Sequence, residues 1–238
     1  MFKPVFSNIR RKQDMDSEKS VALAMRETIS SEHLNVLEDI GEVVFDTTLN
    51  EGLLKEIPVI STIVGAGKLV ANIKDYLFVN KLISFLYPIK DTSAEDRIKA
   101  IEQWETDSKY KVRVGETLLG MIDRCDSKIK AEWLSRLFYE LVLKRQWSNL
   151  FMRAEKILSS ISVMDMQYFL DLKQDQYSQI DANMSEPFLG TGLYQNAALV
   201  WKDINDDGSG YVCEISEVGI WMYHILNGIE MNTEIVKE

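Results

Sequence analysis

The stretch Glu51–Lys90, EGLLKEIPVISTIVGAGKLVANIKDYLFVNKLISFLYPIK, is the most apolar part of the chain, so any fold must either bury it or give it to lipid. Pro58 and Pro88, two of the four prolines, bracket it. At helical period Ser61, Gly65, Lys68, Asn72 and Asp75 share one narrow polar or small stripe. Ile63, Ala66, Val70, Ile73 and Leu77 line the opposite side, and Leu82, Ile83, Phe85 and Leu86 carry the apolar character on to Pro88. Pro58 suits the first turn of a helix, where its missing N–H has no intrahelical partner to lose. Gly65 and Gly67 each cost about 1 kcal/mol inside a helix, so they mark a close crossing or a break near Gly67.

Three functional uses of this stretch compete with a core helix. A membrane span fails on length. The charge-free run Ile57–Gly67 is far shorter than the roughly 18–20 apolar residues a span needs, and Lys68, Lys74, Asp75 and Lys81 interrupt the apolar residues beyond it. An amphipathic segment over residues 57–87, lying on a membrane surface, remains an alternative expectation. Dinucleotide binding is weak: Val59–Gly67 resembles a strand entering a glycine turn, but Val70 stands where a third small residue is needed. A phosphate loop at Gly67-Lys68 fails because Leu69 replaces the hydroxyl that would hold magnesium and Thr62 replaces the leading glycine.

Charge separates the chain into two parts. Residues 151–238 hold 5 basic and 14 acidic side chains, whereas the preceding residues are nearly balanced. An acidic last third repels a phosphate backbone, so no nucleic-acid partner is expected. Arg10-Arg11-Lys12 is a small basic cluster on an otherwise polar arm. The first residues, MFKPVFSNIRRKQD, lack the apolar core of a secretory signal. Cys125 and Cys213 are too far apart for a metal knuckle and too few for a disulfide framework, which fits a reducing cytoplasm.

In chain order, residues 1–20 read as a loose arm and 21–172 as a helical bundle. A helical pattern from Val21 to Asn50 places Leu34, Leu37, Gly41, Val44 and Thr48 on one side. Thr92 and Ser93, followed by Glu95 and Asp96, predict a capped helix through Thr106 with Ile98, Ile101 and Trp104 buried. Val114, Leu118, Met121 and Cys125, widened by Leu119 and Ile122, make the next stripe. Ser127 caps a helix burying Trp133, Leu134, Leu137, Phe138 and Leu141, with Lys130, Arg136, Glu140 and Lys144 on its wet side. Ser148 opens another, burying Leu150, Phe151, Ala154, Ile157, Leu158 and Ile161. Met164, Tyr168, Phe169 and Leu172 form a short helix whose aromatic residues are expected in the core.

Residues 173–193 read as a linker and 194–238 as a C-terminal module. Leu199–Asp203 and Tyr211–Ile215 are β-prone runs around the turn-rich Asn205–Gly210. Ser216 then caps a helix that ends near Gly228. Asp203, Asn205, Asp207, Gly208 and Glu214 fit the calcium-loop pattern at each specified position, placing hard oxygen ligands and a carboxylate where Ca2+ needs them. Gly210 departs from that pattern, since a β-branched residue belongs there, and the sequence offers no convincing second loop to pair with this one. A plain hairpin turn is the favoured expectation, with a calcium loop as the alternative.

No catalytic constellation emerges. His33 and His224 lack companions at metal-ligand spacing, and neither a nucleophile elbow nor a zinc-helix motif is present.

The hairpin followed by Ile-Ser-Glu-Val-Gly219 resembles the wing of a winged-helix module. Ser185–Gln195, where a groove-reading helix belongs, supplies neither Lys nor Arg, so the resemblance implies contact with protein rather than DNA. The runs EGLLKEIPVISTIVGAGKL, IKDYLFVNKLISFL and RVGETLLGMIDRCDSKIKAEWLSRLF resemble small bacterial helical proteins without an assigned activity. That resemblance spans residues 42–172 and implies a bacterial, intracellular setting and no transferable site.

The resulting expectation is a mainly α chain, a multi-helix bundle with a small C-terminal β-hairpin plus helix. Its expected role is non-enzymatic, through contacts with a protein partner in the cytoplasm. The alternatives are a membrane-acting effector of toxic or phage-defence type, peripheral to the inner membrane face, and a Ca2+-binding regulator.

Overall fold

A computed structural model describes residues 20–37, 56–63, 73–106, 113–144, 149–173, 179–181, 188, 190–201 and 209–229. The helices are α1 (20–29), α2 (Pro58–Ile63), α3 (Ile73–Ile89), α4 (Ala94–Thr106), α5 (Val114–Arg124), α6 (Lys128–Lys144), α7 (Asn149–Ser160), α8 (Val163–Asp171) and α9 (Glu217–Leu226). A 3-10 turn, Glu32–Asn35, follows α1, and three short strands complete the set: β1 (Gln179–Asp181), β2 (Tyr194–Trp201) and β3 (Ser209–Ile215). The protein is therefore mainly helical, with an antiparallel hairpin leading into a final helix. Two compact units share it, residues 1–135 with 142–145, and 136–141 with 146–238.

In the first unit the apolar middle of the chain is core. Ile57, just before α2, is buried, as are Val59 and Ile60 on α2 and Val79, Leu82, Ile83, Phe85, Leu86 and Ile89 on α3. Pro58 is the first helical residue of α2, the position its missing N–H favours. The neighbouring Val59 N–H has no partner within its own helix, and the hydroxyl of buried Thr28 on α1 accepts it at 3.0 Å. Pro88 sits one residue before the end of α3, where removing an N–H disturbs only the last turn. Leu77, expected among the buried residues, is 53% exposed. The facing positions of α3 are 79, 82, 83, 85, 86 and 89, and Leu77 lies off that stripe. Residues 64–72, with Gly65 and Gly67, lie outside the described residues, as does the middle of the polar stripe beyond Ser61.

Several helix ends in this unit are closed by side chains from other helices. Of the helix expected over 21–50, residues 38–50, with Gly41, Val44 and Thr48, lie outside the described residues; helix resumes at 36–37, after an interruption that begins beyond residue 29. Ser30 and Ser31 follow, and the Ser31 hydroxyl donates back to the Thr28 carbonyl at 3.2 Å, a bond that competes with helix continuation. The exposed carbonyls are taken by Arg97, on the first turns of α4. Its Nε donates to Ile29 O at 2.6 Å and its Nη2 to Ser31 O at 2.6 Å. Its Nη1 turns to the end of α3 and the loop beyond, donating to Thr92 O and, at 3.4 Å, to Ile89 O. A cation at the negative ends of two helices is where the peptide dipoles favour it.

Arg97 is only 1% exposed, whereas Ile98, expected in the core, is half-buried. Burial pushes the Arg97 guanidinium below the ordinary arginine value, with the Glu32 carboxylate pulling the other way. Lys81 on α3 does the same service for α5, its Nζ donating to Asp123 O and Cys125 O, each at 2.8 Å. Lys130, expected on the wet side of α6, is also 1% exposed and donates to Asp126 Oδ2 at 2.7 Å. Long basic side chains bury their stems and direct their charged heads to nearby oxygens.

Several local expectations for this unit hold, although Leu119, expected to widen the stripe of α5, is half-buried. Ser93 caps α4, accepting from Asp96 N at 3.1 Å and donating to Asp96 Oδ2 at 2.7 Å. Ser127 accepts from Lys130 N at 3.2 Å and opens α6. Val114, Leu118, Met121 and Ile122 are buried along α5, and so is Cys125 at its end. Gly115 lies in the same helix because α1 presses on it. A Cβ there would stand 2.0 Å from the Ala22 carbonyl oxygen. Arg26 of α1 reaches Glu105 of α4 through Nε and Nη2, at 3.0 Å each. That hydrogen-bonded carboxylate raises the Arg26 guanidinium above its ordinary value.

The second unit combines α7 and α8 with the sheet and α9. The sheet has the order β1-β3-β2, all antiparallel. Its hairpin was legible in the sequence, although β2 begins at Tyr194, earlier than expected. Strand β1 lies inside the stretch read as linker. Three residues carry no period of their own, and the pairings Asp181↔Val212 and Ile180↔Cys213 supply what the sequence lacks. A register irregularity between Gln195 and Ala197 interrupts the β2–β3 ladder. Ser216 caps α9 by accepting from Gly219 N at 3.1 Å, and its hydroxyl donates to Gly192 O at 2.6 Å. At the other end Gly228, at φ 67°, lets its own N–H reach Ile225 O and that of Ile229 reach His224 O.

Candidate functional site

Helix α8 carries the surface that stands apart in the second unit. Ser162 starts it, accepting from Asp165 N at 3.0 Å and donating to Asp165 Oδ2 at 2.6 Å. Its far end is held by α9: Tyr223 OH donates to Leu172 O at 2.5 Å and Asn227 Nδ2 to Leu170 O at 3.2 Å. Met166, Phe169 and Leu170 face inward. Phe169 packs edge-on against Tyr194 and Tyr223, with ring centroids 5.9 and 5.7 Å apart.

That inward face leaves Met164, Tyr168 and Asp171, at i, i+4 and i+7, on the outward one. Met164 is 80% exposed and Tyr168 37%, the latter against the expectation that the aromatic residues of this helix are core. Helical spacing shows that two residues share a side; it does not tell which side is buried. The inward side is chosen by Phe169 and Met166, which are fully covered. The Tyr168 ring lies almost parallel to that of Phe188, 6° between planes and 6.1 Å between centroids, and Phe188 itself is fully buried. Asp171 Oδ1 accepts from Gln167 Nε2 at 3.0 Å. The outward face is thus an apolar pair held within an acidic frame, Asp165 on one flank and Asp171 on the crown.

Of the calcium-loop ligands, Asp203, Asn205 and Asp207 lie outside the described residues. Glu214 is exposed on β3, opposite Gln179 and Gln195. The segment expected to lead into that loop is strand β2, through Trp201, and α9 begins at Glu217, three residues after Glu214. Among the described residues no cluster of three His, Cys, Asp or Glu side chains is placed to hold a metal ion. Cys125 and Cys213 are buried, and neither is in a disulfide. His224 is buried on α9, and the side chain of His33 lies outside the described residues.

The membrane-facing candidate, residues 57–87, presents two large apolar side chains to solvent among the described residues, Tyr76 at 38% and Leu77 at 53% exposure. No described helix is long and apolar enough to cross a membrane. Val59–Ile63 is helical, not the strand that a dinucleotide turn requires.

No protein-family model, no curated protein and no solved structure matches this chain. None of these comparisons bears out the winged-helix resemblance of the hairpin.

Proposed function

We propose that the protein is a non-enzymatic, intracellular protein that acts by binding another protein. The observation that carries this reading is the outward face of α8, where Met164 and Tyr168 are exposed on a helix fastened at both ends. Methionine and tyrosine are over-represented in protein interfaces, and a rigid support lowers the entropy lost on binding. Buried ionisable groups elsewhere, Arg97 and Lys130, are engaged with backbone and side-chain oxygens of the fold itself, which is architectural work. Affinity purification of the full-length chain from its own cells tests the proposal. Recovery of a partner in stoichiometric amount is expected. Recovery of nothing, combined with turnover of a substrate by the purified chain, overturns it.

A second reading, a membrane-acting effector at the inner membrane face, is favoured by the exposure of Tyr76 and Leu77 on α3. Against it stands the burial of Leu82, Ile83, Phe85 and Leu86 on the same helix, which leaves little apolar area for lipid.

A further inference from the structure

We infer that the outward face of α8 docks a basic amphipathic segment of another protein, a helix or peptide with an apolar side chain flanked by Lys or Arg. The inference rests on the protein-binding reading above and names the chemistry of the partner.

Three observations converge on that occupant. The face has an apolar anchor, Met164, whose unbranched thioether adapts to a partner's shape. Beside it the Tyr168 ring is already fixed against Phe188, so little rotamer freedom remains to be lost. The acidic groups are also set in place, Asp165 by Ser162 and Asp171 by Gln167.

Charge then selects the partner. On α8 the charged side chains are Asp165 and Asp171, with Lys173 just beyond its end, in a chain whose last third holds 14 acidic and 5 basic residues. The two carboxylates on this face favour a cationic segment over acidic peptides, nucleic acid and anionic lipid headgroups. The exposed area is small, so the complex is of the transient kind and weakens as salt rises.

The test is fluorescence anisotropy of a labelled synthetic helix, Leu on one face and Lys on the other, titrated with the full-length chain. Met164→Asp and Asp171→Lys are the probing variants, and Leu23→Asp, at an exposed apolar residue of the first unit, is the control. Each substituted residue is on the surface, and circular dichroism checks that the variants fold. The expected result is weakening of tenfold or more, about 1.4 kcal/mol, for both α8 variants and no change for the control. Met164→Asp adds negative charge, so attraction by net charge alone would tighten binding, and that outcome overturns the inference. Equal weakening by Leu23→Asp also overturns it. So does binding of phosphatidylserine vesicles that is lost with Met164→Asp. A partner recovered from cells that binds Met164→Asp as well as the wild type removes this docking site while leaving the protein-binding reading intact.

Discussion

Arg97 Nε lies 2.6 Å from the carbonyl oxygen of Ile29, so a residue of α4 closes the C-terminal end of α1. The same guanidinium reaches Ser31, Ile89 and Thr92. Replacing it strands several buried carbonyls at once. Arg97→Ala is expected to lower stability by about 3 kcal/mol, and Arg97→Lys by about 1–2 kcal/mol, because one ammonium cannot serve both helix ends. The urea midpoint measures both. Because burial lowers the Arg97 value, the folded state binds this proton less tightly than the unfolded chain does. Its contribution therefore rises only as pH climbs toward the guanidinium range and stays flat near neutrality.

Two glycines of α5 give opposite outcomes for the same change. A Cβ at Gly115 collides with the Ala22 carbonyl, whereas at Gly120 the nearest atom is Arg124 Nη1 at 3.5 Å, the end of a flexible side chain. Gly115→Ala is expected to cost about 2–3 kcal/mol by forcing α1 away. Gly120→Ala is expected to gain about 0.5–1 kcal/mol from helix propensity. Thermal melts of the two variants, side by side, would show midpoints moving in opposite directions.

Thr28 lends its hydroxyl to the start of α2. Thr28→Val keeps the shape and leaves the buried Val59 N–H unmatched, an expected loss of about 1–2 kcal/mol. Thr28→Ser keeps the acceptor and loses one methyl, about 1 kcal/mol. If Val59 N–H instead finds another acceptor, hydrogen exchange at that amide in Thr28→Val would match the wild type.

Liposome flotation addresses the membrane reading. With most apolar residues of α3 covered, the chain is expected to remain at the bottom of the gradient with neutral and anionic lipid alike. Flotation that is abolished by Leu77→Asp would restore that reading.

Calorimetry addresses the calcium alternative. Glu214 is in mid-sheet partnership with Gln179 and Gln195 rather than at the start of a helix, where a calcium loop places its bidentate carboxylate. Titration with millimolar calcium is expected to give no heat beyond dilution. Heat that disappears in Glu214→Gln would establish the metal site.

The features legible in the sequence were those that local chemistry decides. Ser93, Ser127 and Ser216 each announce a helix start, because the hydroxyl and the N–H it caps lie within three residues. The stripes of α5 and α7 were legible because their apolar residues recur over several turns. Features that tertiary structure decides were hidden. Lys130 read as a surface residue and Arg97 drew no notice, since nothing local shows a helix end arriving from elsewhere or a neighbouring carboxylate waiting. Tyr168 read as core and Leu77 as part of the apolar side, since α8 and α3 bear apolar residues on more than one side and packing picks the side. Of the candidate site, the calcium ligands were conspicuous as a pattern, while the α8 face had no motif at all. The acidity of the last third was its only advance signal.

The guanidinium shared among α1, α3 and the loop before α4 also bears on how the first unit opens. A helix whose final carbonyls are bonded only to water can fray on its own, its amides exchanging with solvent turn by turn. Here the last turns of α1 and α3 lean on one group, so loosening either leaves a buried cation short of oxygens. Amide protons at the ends of these two helices should consequently exchange at a common rate, as a single opening event rather than two.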